Sequence, residues 1–529
     1  MSLLDVQNLR VSFHTRNGEV KAVDDVSFTV ESGKITAIIG ESGSGKSVAC
    51  YSLLGLIPMP PGKVEGGKAL FGGADLLQMS EAELRQIRGR DITMIFQDPM
   101  TCLNPYMTIG DQLVEPIIYH KGVSKNEARL RAIELLEEVG MRDPQSTIDD
   151  YPHQFSGGMR QRVMIAMALI NEPKLLIADE PTTALDVTIQ AQILKLMADL
   201  QKKRDIGVIF ISHDLAVVAD IADQIIVMQK GKVVEHSDRK GIFENAQHPY
   251  TRKLLAAIPS GTKEVSSEQR APLISIRNLN TWFGQGKHKE PVKAVNDVTL
   301  DIRKGEILGL VGESGSGKST LGRSILRLVP ITSGTIEFDG IGVTALQGRE
   351  LKNMRRRMQM IFQDPYASLN PRMSVYDTLA EPLLLHGMEN KKTVERGVLK
   401  LMDNVGLARN FVRKYPHEFS GGQRQRIAIG RALATRPEFI VADEPVSALD
   451  VTIQAQILDL MLDLGKEYGL TMLFVSHDLA VVKHIADRIV VLFKGEIVEQ
   501  GTGAELFENP QQDYTRQLLQ SIPGRALLA

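Results

Sequence analysis

The residues best suited to chemistry lie in an octapeptide that occurs twice, at Gly40–Ser47 and at Gly312–Ser319. Both copies fit the phosphate-binding pattern G-x-x-x-x-G-K-S. Glycines let a backbone curl so that its N–H groups point at a phosphate, and a helix that follows adds its positive end. The lysine can reach the β- and γ-phosphates of a nucleotide, and the final serine can ligate Mg²⁺. The sequence therefore predicts two phosphate-binding loops.

The surroundings of both octapeptides favour this interpretation over a chance glycine-rich turn. Each copy follows an apolar run that predicts a strand, Ile35–Ile39 and Ile307–Val311. Each copy also precedes a stretch that can be helical. A functional phosphate loop requires this strand-loop-helix context.

Paired acids end a second apolar run in each half of the chain. Asp179 and Glu180 follow the run at 174–178, and Asp443 and Glu444 repeat the arrangement. A buried strand has no packing reason to end in two carboxylates, because unpaired burial is costly. The first acid can hold Mg²⁺, directly or through water, and the second can act as general base toward a water. The alternative is a strand that simply runs out into solvent.

A glutamine and a histidine also follow apolar runs in each half. Gln97 and Gln363 suit contact with Mg²⁺ or with the attacking water. His213 and His477 can donate a hydrogen bond to a γ-phosphate. A lone histidine at a strand end is more often structural, but the ordered set of motifs favours a role at the site.

Composition limits the class of protein. The chain has 529 residues, 43% of them hydrophobic and 24% charged, and a net charge of −2, which implies no general attraction to nucleic acid. No apolar run approaches the ~18 residues of a membrane span. The first residues lack the basic region and the long apolar region of a signal peptide, so we expect none. The two cysteines, Cys50 and Cys102, are expected to be buried or partly buried thiols. They belong to no zinc-spaced cluster, so we expect no zinc site.

The motifs return in the same order, so the chain consists of two complete domains rather than a short-period repeat. We place the first domain at 1–260, a polar flexible linker at 261–272 and the second domain at 273–529. Each half opens with alternating strands, has a polar helix-rich middle, and then alternates short strands with helices. This order predicts an α/β fold with a mainly parallel sheet and a ligand at the strand ends.

The discriminating motifs are Ser156-Gly157-Gly158 and Ser420-Gly421-Gly422, each before a basic helix. They resemble the signature motif of ATP-binding-cassette (ABC) ATPases, and the resemblance covers nearly the whole chain twice. It implies two P-loop ABC ATPase domains in tandem, each with a parallel core, an antiparallel β subdomain and a helical subdomain. It also implies ATP and Mg²⁺ as ligands, and head-to-tail pairing of cassettes. We expect the two halves of one chain to form this pair, and pairing between two copies of the chain is the alternative.

Two composite ATP sites follow from this resemblance. One would join Lys46, Ser47, Gln97, Asp179, Glu180 and His213 to Ser420, Gly422 and Gln423. The other would join Lys318, Ser319, Gln363, Asp443, Glu444 and His477 to Ser156, Gly158 and Met159. In this family a short segment after the paired acids, the D-loop, also lies near ATP, and the matching segments here are 184–186 and 448–450. Further ATP contacts are expected from the phosphate loops with Thr320, the Ser-Gly-Gly motifs, the D-loops and two aromatic residues: Phe13, Gly40, Ser42, Gly43, Ser44, Gly45, Gly157, Asp186, Phe283, Gly312, Ser314, Gly315, Ser316, Gly317, Thr320, Gly421 and Asp450.

One position departs from the family's pattern. Met159 stands where the family usually has Gln or Glu, as Gln423 does in the second half. The anion contacts come largely from Ser and Gly, so at most a reduced activity is expected at the site that Met159 would complete.

Three further pairs of sequences point to a branch of the family. These are Leu-Asn-Pro from 103 and 369, Tyr-Pro-His from 151 and 415, and Tyr-Thr-Arg from 250 and 514. Together they resemble the oligopeptide/dipeptide importer ATPases of bacteria, and a single fused chain resembles the twin-cassette YejF type, which is associated with uptake of peptides and microcin C. The cysteine cluster of many unfused relatives is missing, so we expect no iron–sulfur cluster. The alternative interpretation of Tyr-Thr-Arg is the start of a surface helix.

The resemblance implies a peripheral ATPase at the cytoplasmic face of the inner membrane. Its partners would be two integral-membrane permease subunits and, indirectly, an extracytoplasmic substrate-binding protein, with no nucleic acid. One alternative is a soluble twin-cassette ATPase that acts on the ribosome, which would normally have a long charged linker. A twin-cassette DNA-repair ATPase would carry zinc cysteines. A fused sugar importer would lack the Leu-Asn-Pro and Tyr-Thr-Arg pairs. ATPases of this kind do not contact the transported substrate, so no residue of this sequence encodes the length or charge of a peptide.

Overall fold

The computed structural model describes residues 2–15, 18–97, 102–182, 185–259, 261, 263, 270–284, 291–447 and 449–524. These residues form two compact units, which consist essentially of Met1–Ile258 and Pro259–Ile522. Most of the predicted linker 261–272 lies outside the described residues. The domain limits given above therefore stay a proposal.

The first unit contains two β-sheets. Its strands are β1 (Ser2–Thr15), β2 (Gly18–Glu31), β3 (Ile35–Ile39), β4 (Gly62–Phe71), β5 (Ala74–Asp75), β6 (Ile92–Ile95), β7 (Leu175–Asp179), β8 (Gly207–Ser212), β9 (Gln224–Gln229) and β10 (Lys232–Asp238). One sheet is antiparallel, in the order β2-β1-β4-β5. The other has the order β10-β9-β3-β8-β7-β6, and only the β9–β10 pair is antiparallel.

Helices connect and flank these strands. The α-helices of the first unit are Lys46–Leu53, Glu81–Ile87, Ile109–Lys121, Lys125–Glu138, Pro144–Thr147, Gly157–Leu169, Val187–Arg204, Leu215–Ile221, Arg239–Asn245 and Pro249–Ala256. Short 3₁₀-helices lie at Leu76–Gln78 and Pro152–Gln154. Ser80 and Glu83 form the capping box that their spacing predicts, with Ser80 N–H donating to Glu83 Oε2 at 2.8 Å.

The second unit repeats this architecture. Its strands are β11 (Pro272–Phe283), β12 (Val292–Arg303), β13 (Ile307–Val311), β14 (Ser333–Phe338), β15 (Ile341–Gly342), β16 (Met358–Ile361), β17 (Phe439–Asp443), β18 (Thr471–Val475), β19 (Arg488–Phe493) and β20 (Glu496–Gly501). The antiparallel sheet has the order β12-β11-β14-β15, and the mainly parallel sheet has the order β16-β17-β18-β13-β19-β20. The order in each sheet matches that of the first unit, which is the fold class expected from the motifs.

The helices of the second unit also follow the first. The α-helices are Lys318–Ile325, Gly348–Arg357, Pro365–Ser368, Val375–Leu385, Val394–Asn404, Gly421–Leu433, Val451–Tyr468, Leu479–Ile485, Gly503–Glu508 and Asp513–Gln520. Short 3₁₀-helices lie at Arg409–Phe411 and Pro416–Glu418.

The parallel strands supply the centre of each core, because they are covered on both faces. All five residues of β3, β7, β13 and β17 are buried. The helix Val187–Arg204 packs an apolar face inward, with Ile193, Met197 and Leu200 at most 6% exposed. The carboxyl ends of these buried strands present the polar residues singled out above.

The expectation about the two cysteines holds for only one of them. Cys50 is buried as expected, but Cys102 is exposed, so the prediction that both thiols are at least partly buried was wrong. Its neighbour Leu103 is only 3% exposed and fills the inward position instead.

Among the helices of the described ranges, none combines the length and the apolar character needed to cross a bilayer.

Candidate functional site

The first phosphate loop connects β3 to the helix Lys46–Leu53, and its glycines are required by the backbone. Gly40 has φ 150°, and a Cβ added there would lie 2.2 Å from Met228 O. Gly45 has φ 99° and caps the helix, and its Cβ would lie 2.2 Å from Ala22 O. The matching glycines of the second loop have the same conformations and the same close contacts. No other residue type fits these positions.

The lysine of each loop is buried and held by carbonyl groups of its own loop. Lys46 Nζ donates to Gly40 O at 2.7 Å and to Glu41 O at 3.0 Å. Lys318 Nζ makes the equivalent two contacts, both at 2.8 Å. These bonds keep the ammonium group in the concave side of the loop, where the phosphate of a nucleotide would bind.

The serine that ends each loop contacts the first acid of the strand beside it. Ser47 Oγ donates to Asp179 Oδ1 at 3.0 Å, and Ser319 Oγ donates to Asp443 Oδ1 at 2.8 Å. Both carboxylates are at most 1% exposed. Burial raises the pKa of each above its ordinary 3.8, and the serine hydrogen bonds oppose that shift. Hydroxyl and carboxylate oxygens are ligands that Mg²⁺ prefers, so the residues fit that ion.

The second oxygen of this carboxylate distinguishes the two units. Tyr51 Oη donates to Asp179 Oδ2 at 2.8 Å. The equivalent Asp443 Oδ2 is buried without a hydrogen-bond partner among the described residues, and Arg323 Nη2 lies 3.8 Å from it. The two candidate metal positions therefore have the same types of ligand but different supporting contacts. Tyr51 is not among the residues predicted from the sequence, although its place four residues after Ser47 puts both side chains on one helix face.

The second acid of each strand is held between the predicted glutamine and histidine. Glu180 accepts a hydrogen bond from Gln97 Nε2 at 2.8 Å and lies 3.0 Å from His213 Nδ1. Glu444 has the same neighbours in the second unit, Gln363 at 2.9 Å and His477 at 3.1 Å. The structure thus brings together three side chains from the ends of three parallel strands.

The backbone at both glutamates is left-handed. Glu180 has φ 47° and Glu444 has φ 46°, a conformation uncommon outside glycine. The N–H of each donates at 2.9 Å to the neighbouring strand, to Ile211 O and Val475 O. This conformation turns the chain at the strand end and aims the carboxylate along the sheet edge. Such strain is concentrated at functional sites.

The charges of the Glu–His pairs are coupled. Burial alone lowers the pKa of His213 and of His477, but the hydrogen bond and negative charge of the adjacent glutamate raise both above the ordinary 6.5. Burial acts to raise the pKa of Glu444, and the His477 contact outweighs it, so the net shift is downward. Ion pairing therefore favours an ionised glutamate and a protonated histidine.

The Ser-Gly-Gly sequences begin the helices Gly157–Leu169 and Gly421–Leu433. Ser156 Oγ accepts from Met159 N–H at 3.4 Å. In the second unit the Gln423 side chain also returns a hydrogen bond, with Ser420 N–H donating to Gln423 Oε1 at 3.2 Å. Methionine cannot make this contact, so Met159 removes half of the reciprocal cap at its own helix.

The second glycine of each signature has a packing role of its own. A Cβ on Gly158 would lie 2.6 Å from Ile189 Cγ2, and one on Gly422 would lie 2.3 Å from Ile453 Cγ2. Ile189 and Ile453 lie in the two long helices that begin directly after the predicted D-loop aspartates. Asp186 accepts from Ile189 N–H at 3.0 Å, and Asp450 accepts from Ile453 N–H at 3.1 Å, so both are helix N-caps.

The remaining predicted residues lie on the loops and the antiparallel sheets. Thr320 is in the helix after the second loop, and Ser42, Gly43, Ser314 and Gly315 are exposed at the loop tips. The hydroxyls of Ser44 and Ser316 are buried without a hydrogen-bond partner among the described residues. Phe13 lies on β1 and Phe283 on β11, where it is 41% exposed. Adenine stacking on these two rings stays a prediction.

Comparison with known proteins gives matches over both units. The family described as "ABC transporter" matches residues 23–183 and 295–447. The family described as "Oligopeptide/dipeptide transporter, C-terminal region" matches residues 234–280 and 498–525.

Curated relatives span nearly the full chain. The peptidoglycan transport ATP-binding protein YejF of Agrobacterium fabrum is 48% identical, over 98% of this chain and 96% of that protein. The glutathione import ATP-binding protein GsiA of Escherichia coli K12 is 47% identical, over 99% of this chain and 90% of that protein. A solved dimeric cassette, MJ0796, is 32% identical over 43% of this chain and 98% of that chain, with a TM-score of 0.40.

The fold and the duplicated site define a tandem P-loop ATPase. The chain belongs to the ABC transporter family, and each half carries the C-terminal region of its oligopeptide/dipeptide branch. It is therefore an ATP-binding protein with two ABC ATPase cassettes.

Proposed function

We propose that this chain is the energy-coupling subunit of a bacterial importer for peptides or peptide-like substrates. The oligopeptide/dipeptide match in both halves supports this class. The names of the relatives, peptidoglycan transport and glutathione import, both refer to compounds that contain peptide bonds. The same match favours a peptide importer over a ribosome-acting ATPase or a sugar importer.

The observation that carries the ATPase proposal is the duplicated Gln–Glu–His cluster beside a phosphate loop. Glu180 and Glu444 would act as general bases toward the attacking water. The glutamine amide and the histidine hold each carboxylate from two sides, at 2.8 to 3.1 Å. A general base needs this fixed orientation, because proton abstraction depends on geometry as well as on pKa.

Binding of the phosphates would fall to the loops. Their backbone N–H groups and the buried Lys46 and Lys318 would surround the β- and γ-phosphates. Mg²⁺, when bound, would neutralise charge on the phosphates as they transfer. Its ligands would be Ser47 and Asp179 in the first unit and Ser319 and Asp443 in the second, with the glutamines Gln97 and Gln363 as further candidates.

The proposed mechanism includes composite sites. Each Ser-Gly-Gly turn would cover ATP bound at the other unit's phosphate loop, as the family resemblance implies, and the two halves of one chain would form the pair. A helix N-terminus with adjacent glycines is a suitable anion site. Hydrolysis would then reopen the pair and drive the permeases.

The partners would be two integral-membrane permease subunits and an extracytoplasmic binding protein that delivers substrate. The chain would sit peripherally at the cytoplasmic face of the inner membrane. Cell fractionation tests this assignment. Recovery with the permeases in the membrane fraction is expected, and recovery with ribosomes instead would contradict it.

Replacing both bases tests the proposed chemistry. Glu180→Gln with Glu444→Gln should lower kcat by about 100-fold or more, the range of general-base catalysis, and should leave ATP binding intact. Glu127→Gln, which removes a surface ion-pair partner of Arg131, is the matched control and should keep full activity. Full ATPase activity in the double variant would contradict both assignments.

A further inference from the structure

A tyrosine near the end of each unit contacts the phosphate loop of the same unit. Glu41 N–H donates to Tyr250 Oη at 3.1 Å. Glu313 N–H donates to Tyr514 Oη, also at 3.1 Å. These are the tyrosines of the two Tyr-Thr-Arg sequences, and both lie within the oligopeptide/dipeptide C-terminal match. The contact is built identically in two independent copies of the fold.

The residue that each tyrosine holds also holds the loop lysine. Glu41 O accepts from Lys46 Nζ at 3.0 Å, and Glu313 O accepts from Lys318 Nζ at 2.8 Å. The N–H and the carbonyl of one residue flank a single Cα, so fixing the first restricts the direction of the second. The tyrosine hydroxyl therefore acts on the lysine through the first turn of the loop.

Packing fixes the position of each hydroxyl. Tyr250 is 6% exposed and belongs to the main core of the first unit. The Tyr514 ring packs on Phe493 with ring centroids 4.3 Å apart. A hydroxyl on a ring held in this way has little freedom, so its hydrogen bond restrains the loop at a small entropic cost.

The helix that carries the tyrosine is itself tied to the main sheet. Glu235 on β10 accepts from Gln247 N–H at 2.7 Å and from His248 N–H at 3.1 Å, directly before the helix. Glu499 on β20 makes the same pair of contacts in the second unit, at 2.7 and 3.1 Å. The turn between β9 and β10 touches the loop as well, with Gly231 N–H donating to Ser44 O at 2.9 Å. Hydrogen bonds thus connect the strand, the helix that carries the tyrosine and the phosphate loop.

We propose that Tyr250 and Tyr514 are positioning residues for ATP, through which the C-terminal segment of each cassette sets the affinity of its phosphate loop. The inference rests on the proposed nucleotide sites. The Tyr-Thr-Arg sequences lie in the first turn of a helix in both units, and the inference gives them a role beyond that of a helix start.

The test removes each hydroxyl while a single loop remains active. Tyr250→Phe is made with Lys318→Ala, and Tyr514→Phe with Lys46→Ala, and binding of a nonhydrolysable ATP analogue is measured by calorimetry. We expect the dissociation constant to rise about 3- to 10-fold, the range of one hydrogen bond. In the otherwise native chain, KM for ATP should rise by a similar factor while kcat changes less.

Tyr468→Phe is the matched control. Its hydroxyl accepts from Asn404 Nδ2 at 2.5 Å. This variant should lower the midpoint of thermal unfolding. It should change the dissociation constant of the ATP analogue by no more than about twofold, because the lost bond does not involve a phosphate loop. Unchanged affinity in both Tyr250→Phe and Tyr514→Phe would overturn the inference, and either unit supplies the test should the other variant fold poorly. Retained binding after Lys46→Ala with Lys318→Ala would instead refute the proposed sites.

Discussion

Replacing Tyr51 by phenylalanine tests how Asp179, the candidate metal ligand of the first unit, is supported. The change removes only the hydroxyl that donates to Asp179 Oδ2 at 2.8 Å. Asp179 is 1% exposed, so water has little access to replace the lost donor. A hydrogen bond to a charged group contributes about 1.5–3 kcal/mol, and we expect the first unit to lose roughly this much free energy of unfolding.

The size of the effect is measurable by calorimetry. In a unit of this length, 1 kcal/mol shifts the midpoint by about 2–4 °C, so the transition of the first unit should fall by about 3–12 °C. Tyr119→Phe, in which an exposed tyrosine is changed, is the control and should shift the midpoint far less.

The effect of Tyr51→Phe should also depend on pH. Burial raises the pKa of Asp179, and the hydrogen bond from Tyr51 opposes that shift by favouring the ionised form. A raised pKa means that ionisation costs stability as pH increases, and the variant loses the group that limits this cost. The destabilisation should therefore be larger near neutral pH than in mild acid. A loss equal to that of Tyr119→Phe, or one independent of pH, would refute this account.

Three further predictions concern caps, charges and thiols. Met159→Gln should stabilise the first unit by about 0.5–1 kcal/mol in urea unfolding, because it restores the reciprocal cap, and no gain would contradict this. NMR titration should show the pKa of His477 above 6.5. The stability that its ion pair contributes should be complete below pH 6.5 and should be lost as pH rises through the raised pKa. Glu444→Gln should bring the pKa of His477 below 6.5, because burial then dominates. A thiol reagent followed by mass spectrometry should label Cys102 in the folded protein and Cys50 only after unfolding, since Cys50 is buried and burial raises its pKa.

Much of the fold was predictable because the informative features are local. Phosphate-loop glycines, apolar runs and paired acids lie within short stretches, and each maps onto one strand end in the structure. Because the chain consists of two similar halves, each motif occurs twice, and the second copy supports the interpretation of the first. Strand order and the meeting of glutamine, glutamate and histidine then follow, because parallel strands end at one edge of a sheet.

The supporting contacts were not predictable in the same way. Tyr51 and Tyr250 act through single hydroxyls that reach residues distant in sequence, and one sequence does not reveal such pairs. The left-handed backbone of Glu180 is likewise set by the strand beside it rather than by its residue type. The exposure of Cys102 was predicted wrongly because a small apolar residue is buried only where its neighbours leave it an inward position.

The most direct test of the account is ATP-dependent disulfide formation between the first phosphate loop and the second signature. Ser42 and Ser420 are both exposed and are replaced together by cysteine in a Cys102→Ser chain. The account predicts that ATP promotes a bond between these two positions within one chain. Replacing Ser42 and Ser156, which lies in the same unit as Ser42, provides the matched control, in which ATP should promote no bond. Cross-linking of the control pair, with none between positions 42 and 420, would contradict the composite sites on which the proposed mechanism depends.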